Sequence, residues 1–222
     1  ADADSVNISG ALYGSTIDLG AGDDKAFTLS VNAEGSNILG GAGNDTFVVT
    51  TAAAFTTSTL AGGTGQDNIS FAQTLSNSSI FGGTGNDTIT LAALVEAGAV
   101  VSGDAGSDLM VFSSTVSASS AYGGSGRDTI SLLSEVNAST IDLGADADSF
   151  GFSSTLSAST VEGGDGADTL VFGTAAKLTN SSISGGADAD SLVFNAVVNS
   201  NTTVAGGGGS DTISFATTVS GA

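Results

Sequence analysis

The chain has 222 residues, 40% of them apolar, and its 23 acidic residues face only Lys25, Arg127 and Lys177, for a net charge of −20. That balance excludes nucleic acid and anionic membrane surfaces as direct partners, since both require basic patches. No apolar run approaches the roughly 18 residues of a membrane-spanning helix. His and Cys are both absent, which removes the usual ligands of zinc, copper and iron and the usual catalytic nucleophiles and bases. No enzymatic activity is expected of this segment.

Acidic chains are often disordered, but here the apolar residues keep a schedule. An aspartate closes a glycine-rich or related turn at Asp4, Asp24, Asp45, Asp67, Asp87, Asp108, Asp128, Asp148, Asp168, Asp190 and Asp211. Successive intervals are 20, 21, 22, 20, 21, 20, 20, 20, 22 and 21 residues. A period near 21 is the signature of a stacked repeat array. The expected fold is all-β, a parallel β-solenoid of about eleven coils spanning residues 1–222 as one domain. Both termini fall inside the repeat, so a longer array is expected to continue from them.

Within a coil the first element is a strand. Two places after the aspartate come Val6, Ala26, Phe47, Ile69, Ile89, Met110, Ile130, Phe150, Leu170, Leu192 and Ile213. Four places after it come Ile8, Val49, Phe71, Leu91, Phe112, Leu132, Phe152, Phe172, Phe194 and Phe215. That period of two predicts one face turned inward, with the phenylalanines forming a ladder in the core. A Ser/Thr-rich far turn follows, plugged by one apolar residue such as Leu75, Val95, Val116 or Leu156. The return strand then reads hydroxyl and apolar, as in Ser79-Ile80, Thr140-Ile141 and Thr160-Val161, and leads into the next glycine turn. Each coil is thus expected to hold two short strands.

Taken in chain order, a few coils depart from the rule. In the second, Phe27 and Leu29 come one place late, which predicts a bulge or weak pairing. In the third and ninth, the extra residues lie within Thr50–Ala54 and Gly173–Lys177. Only Ala92–Ala99 could manage a helical turn, and it occupies an ordinary far-turn slot.

The glycine turn carries the chemistry. Gly40-Gly41-Ala42-Gly43-Asn44-Asp45 recurs in variants that begin at Gly62, Gly82, Gly123, Gly163, Gly185 and Gly206. Glycine permits positive φ and close approach to an ion, the turn aims carbonyl oxygens to one side, and the aspartate adds a carboxylate. An all-oxygen set in a flexible loop suits Ca²⁺, which takes roughly six to eight such ligands. One copy would favour simple turn capping by the aspartate; eleven in register favour calcium. Leu19 and Leu143 replace the first glycine, Asp104 the second, and Asp2, Asp146 and Asp188 the fourth. These aspartates fit either an intact left-handed turn or an extra ligand.

The motif Gly-Gly-x-Gly-x-Asp-x-apolar-x resembles the nonapeptide of the RTX, or haemolysin-type, calcium-binding repeats. The resemblance implies a right-handed parallel β-roll with Ca²⁺ held between equivalent turns of successive coils by the aspartate and turn carbonyls. Such rolls usually carry the motif on both edges, whereas this chain carries it on one. About ten Ca²⁺ in a single row are therefore expected, with the eleven aspartates and the first-place glycines as ligands. About ten such ions would bring about +20 against the chain's charge.

The preferred functional reading is an extracellular structural module, secreted or displayed on a bacterial surface: a calcium-stiffened rod of a surface layer, adhesin or filament. Self-association or neighbouring repeats end to end would accompany it, without membrane insertion. The alternative is the calcium-triggered folding module of a type I-secreted toxin or hydrolase. A third reading, ice binding, needs a regular Thr/Asn row such as Gly83-Thr84-Gly85-Asn86-Asp87 offers. The third place of the turn instead reads Ala42, Thr64, Thr84, Ala105, Ser125, Ala145, Asp165, Ala187 and Gly208, so the row is not kept.

Overall fold

The alternating residues after each aspartate form the first strand of every coil in the computed structural model, which describes residues 3–50, 54–199, 201–217 and 219. Eleven strands, from Ser5–Ile8 to Thr212–Phe215, stack in chain order into one parallel sheet. Register is kept residue for residue: Ile69 lies opposite Phe47 and Ile89, and Phe71 opposite Val49 and Leu91. From Phe27 to Phe194 the inward residues are buried, as the period of two requires. None of the eleven strands contains a charged residue, so among the described residues every side-chain carboxylate lies in a corner or on another face.

The far turn is itself a sheet, so each coil holds three strands rather than two. Ten strands of two or three residues, from Leu12–Tyr13 to Val197–Val198, pair in parallel with one inward side chain each, such as Phe55, Leu75 and Val95. Two extended residues are too short to show a period, which is why the alternation does not reveal them. The return strands form a third parallel sheet of ten, from Thr16–Asp18 to Thr203–Gly208. Most run six residues and continue into the glycine turn: Ser79–Thr84 includes its first three places. In those coils half of the glycine turn is therefore strand.

The three sheets enclose one continuous apolar core. Its aromatic stacking is continuous only near the C-terminal end, where Phe172 and Phe194 stack at 4.8 Å and Phe194 and Phe215 at 4.9 Å between ring centres. Phe152 meets Phe172 edge-on at 6.2 Å. Phe71 and Phe112 are separated by Leu91 in the stack, so the expected ladder is broken there.

The second coil resolves its late register with one extra residue. Phe27 and Leu29 pair with Phe47 and Val49, placing two residues between Asp24 and Phe27 against one between Asp45 and Phe47. The other neighbour, Ser5–Ile8, is paired in full, so the bulge is present and the pairing is not weak. In the ninth coil the extra residues make the turn between the first and second sheets, closed by the Ala176 amide on the Gly173 carbonyl at 3.0 Å. The corresponding residues 51–53, and Asp2, lie outside the described residues. No helix occurs among the described residues, and Ala92–Ala99 holds the short strand Val95–Glu96.

The corner between the second and third sheets is built by a column of buried serines: Ser36, Ser58, Ser78, Ser119, Ser139, Ser159 and Ser181. Each follows a residue with positive φ, such as Ala138 at 49°. The Ser119 amide donates to Ser139 Oγ (3.3 Å) and the Ser139 amide to Ser159 Oγ (3.1 Å). Ser139 Oγ in turn donates to the Asn137 carbonyl at 2.8 Å. Hydroxyls thus satisfy amides that a sharp corner would otherwise leave buried and unpaired.

Ser139→Ala strands the Ser119 amide. An unsatisfied buried donor costs about 1–3 kcal/mol, and about 2–4 °C accompanies each kcal/mol in a chain of this size. Thermal melts in saturating calcium are expected to fall by about 2–12 °C. An unchanged melting temperature would contradict the hydroxyl's role.

Candidate metal centre

The aspartates have the same parity as the inward residues two and four places later, so their side chains point into the coil. Nine of them, Asp24, Asp45, Asp67, Asp87, Asp108, Asp128, Asp148, Asp168 and Asp190, are buried, each no more than 3% exposed. Asp4 is exposed and Asp211 half-buried at the two ends of the row. A carboxylate in such a place needs a partner for each oxygen.

One oxygen has its partner. Each Oδ1 accepts the backbone amide of the aspartate one coil earlier: Asp45 to Asp67 at 2.7 Å, Asp67 to Asp87 at 2.7 Å, Asp87 to Asp108 at 2.7 Å and Asp128 to Asp148 at 2.7 Å. The chain of bonds is unbroken from the Asp4 amide to Asp211 Oδ1. Capping is thus real, and it uses half of each carboxylate. The other oxygen, Oδ2, is buried without a hydrogen-bond partner in all nine.

The first-place glycines border those bare oxygens. Gly40, Gly62, Gly82, Gly123, Gly163, Gly185 and Gly206 are joined by Gly103, all within strands of the third sheet. A Cβ on Gly82 would come within 2.5 Å of Asp87 Oδ2 and 2.7 Å of the Gly103 carbonyl oxygen. No side chain fits there, and two oxygens from successive coils face the space it would fill. The second and fourth places are glycine for a different reason, positive φ, as in Gly83 (115°) and Gly85 (127°).

Where aspartate replaces those glycines the turn survives. Asp104, Asp146 and Asp188 take φ of 74°, 80° and 73°. Asp104 accepts a hydrogen bond from Ser102 Oγ, and Asp146 and Asp188 are exposed. They act on the buried row by their charge from outside.

A further ladder runs along the outside of the turn at its fifth place. The Gln66 amide donates to Asn44 Oδ1 at 2.7 Å, the Ser107 amide to Asn86 Oδ1 at 2.8 Å, and the Asn44 amide to Asp23 Oδ1 at 3.0 Å. The sequence signal for it was the recurrence of Asn, Asp and Ser just before the aspartate. Sequence reasoning passed over it because polar residues are ordinary in turns.

Burial is the main force on the row's protons. It pushes Asp67, Asp108 and Asp168 up to about 6 and Asp128 and Asp148 up to about 7. The amide from the preceding aspartate opposes the rise, and neighbouring carboxylates add to it. Asp45, Asp87 and Asp190 move in the same direction from the same leading cause.

The oxygen-only donors, the bare Oδ2 atoms and the glycine space between them fit a hard divalent cation such as Ca²⁺. No three acidic side chains converge among the described residues, so an ion here would draw its remaining ligands from backbone carbonyls and water. Fold and site together define a parallel β-solenoid with a row of glycine–aspartate turns along one edge. The model of the RTX calcium-binding nonapeptide repeat matches the chain in four copies within residues 32–48, 75–93 and 156–174. These segments contain the turns that end at Asp45, Asp87 and Asp168, and repeats of this family bind calcium. No curated protein and no solved structure matches the chain.

Raised carboxyl pKa values set the sign of the pH dependence without metal. The folded state holds these protons more tightly than the unfolded one, whose carboxyls titrate near 3.8. The associated stability is full below that value and is lost as pH rises through about 6 to 7. Metal-stripped protein is therefore expected to gain β structure, read by circular dichroism, as pH is lowered from 7.5 to 5. A β signal that stays equal or falls on going to pH 5 would contradict the buried row.

Proposed function

We propose that the chain is a calcium-dependent structural rod, with one row of ions between successive coils inside the glycine corner. The observation that carries this reading is the line of nine buried Oδ2 atoms without partners. The aspartates and the first-place glycine carbonyls would hold the ions. Calcium supplies positive charge and a coordination sphere that accepts irregular oxygen sets. Asp Oδ1 meanwhile keeps the coils in register through the amide of the preceding aspartate.

The rod reading rests on the evenness of the molecule. Three parallel sheets run the length of the described chain, and its charge is gathered at the turns and on two of the three faces. Placement outside the cell is supported by the repeat family, which occurs in secreted bacterial proteins, and by the abundance of calcium that extracellular modules exploit. A surface layer, adhesin or filament is the setting we propose, with copies or further repeats stacking end to end. Folding on arrival in calcium would serve a secreted toxin or hydrolase equally, since it is the same event in the same residues.

The test is circular dichroism at neutral pH in EGTA and after calcium is returned. The β signal is expected to be lost or much weakened in chelator and to be restored by calcium. A β signal unchanged by EGTA would overturn the proposal.

A further inference from the structure

The ten first places of the turns are not equivalent. Eight are glycine and two are leucine, Leu19 and Leu143. None of the eight glycines has positive φ, so the backbone does not demand glycine there. What is demanded is room. At Gly40, Gly62, Gly82, Gly103, Gly123, Gly163 and Gly185, a Cβ would collide with Oδ2 of the same turn's aspartate and with the first-place carbonyl oxygen of the next coil. At Gly206 it would meet only Asp211. Seven spaces are therefore bordered by both oxygens.

Leu143 is fully buried, at an inward place of the strand Thr140–Ala145. In register with Gly123 and Gly163, it puts a Cβ at the place where those coils have none. Its own carbonyl still faces the space at Gly123, so the loss is confined to one place. Asp148 is otherwise like its neighbours: it accepts the Asp128 amide, donates its own amide to Asp168, and has a buried, partnerless Oδ2. The leucine is the difference at this level.

We propose that Leu143 is a built-in break in the calcium row, filling the place that Asp148 and Gly163 would otherwise offer an ion. The chain then loads as a run of five places, from Gly40 to Gly123, followed by a run of two, at Gly163 and Gly185. Leu19, also buried, removes the place beside Asp24 in the same way. The row holds seven ions instead of one at each of the ten junctions. At the break, a leucine in the core takes over from an ion in holding two coils together. This inference rests on the calcium reading and refines it.

The experiment counts bound calcium by equilibrium dialysis for the full chain and for Leu143→Gly and Leu143→Ala. Circular dichroism in saturating calcium confirms that each variant is folded. Both variants lose the buried isopropyl group, but only glycine removes the Cβ. The expected result is seven ions for the natural chain, one more for Leu143→Gly, and no gain for Leu143→Ala. Equal counts for the two variants would overturn the break. If neither variant folds, the natural chain decides, since a count above seven overturns the proposal and a count of seven supports it. No calcium bound by the natural chain would instead remove the reading on which it rests.

Discussion

Nine carboxylates buried in one line, each with one oxygen bonded and one bare, set the terms for the rest of this molecule. Equivalent residues of neighbouring coils are about 4.8 Å apart. At that spacing like charges repel by about 1 kcal/mol per pair in water and by several at an effective dielectric near 20. Along the row this reaches the scale of a whole domain's stability, about 5–15 kcal/mol. The amide bonds to Oδ1 offset only part of it, because burial and neighbouring charge still raise the acidic pKa values. A cation in the glycine corner resolves the conflict; protons do so only as pH falls below about 6 to 7.

The opposite corner shows the same device without the charge. There the amide of one serine donates to the hydroxyl of the serine one coil on, as each aspartate amide donates to the carboxylate one coil on. Both columns let a sharp corner satisfy its backbone through the neighbouring coil. The serine column is electrically neutral and closes by itself through its carbonyl partner. Only the aspartate column calls for an ion, so the coil's single charged inner corner follows from which acceptor each corner uses.

Much of this was legible because alternation is a strong signal. Ile69 and Phe71, Ile89 and Leu91, and the interval between aspartates define the first sheet and its register. Parity carried more than was read from it. Asp67 precedes Ile69 by two, Gly82 follows Ile80 by two and Ser78 precedes it by two, so all three face inward with the core residues. Read that way, the aspartates belong inside the corner and the serines form a second inner column. The short strands, such as Leu75–Ser76, had no period to betray them. The breaks at Leu19 and Leu143 were visible as letters, but their effect depends on which atoms a Cβ would meet.

The most direct measurement is anomalous diffraction at a wavelength sensitive to calcium, from crystals grown in calcium. The account predicts a single line of anomalous peaks inside the glycine corner, each in contact with an aspartate Oδ2. Peaks confined to the outer surface or to another corner, with the Oδ2 row left bare, would contradict it.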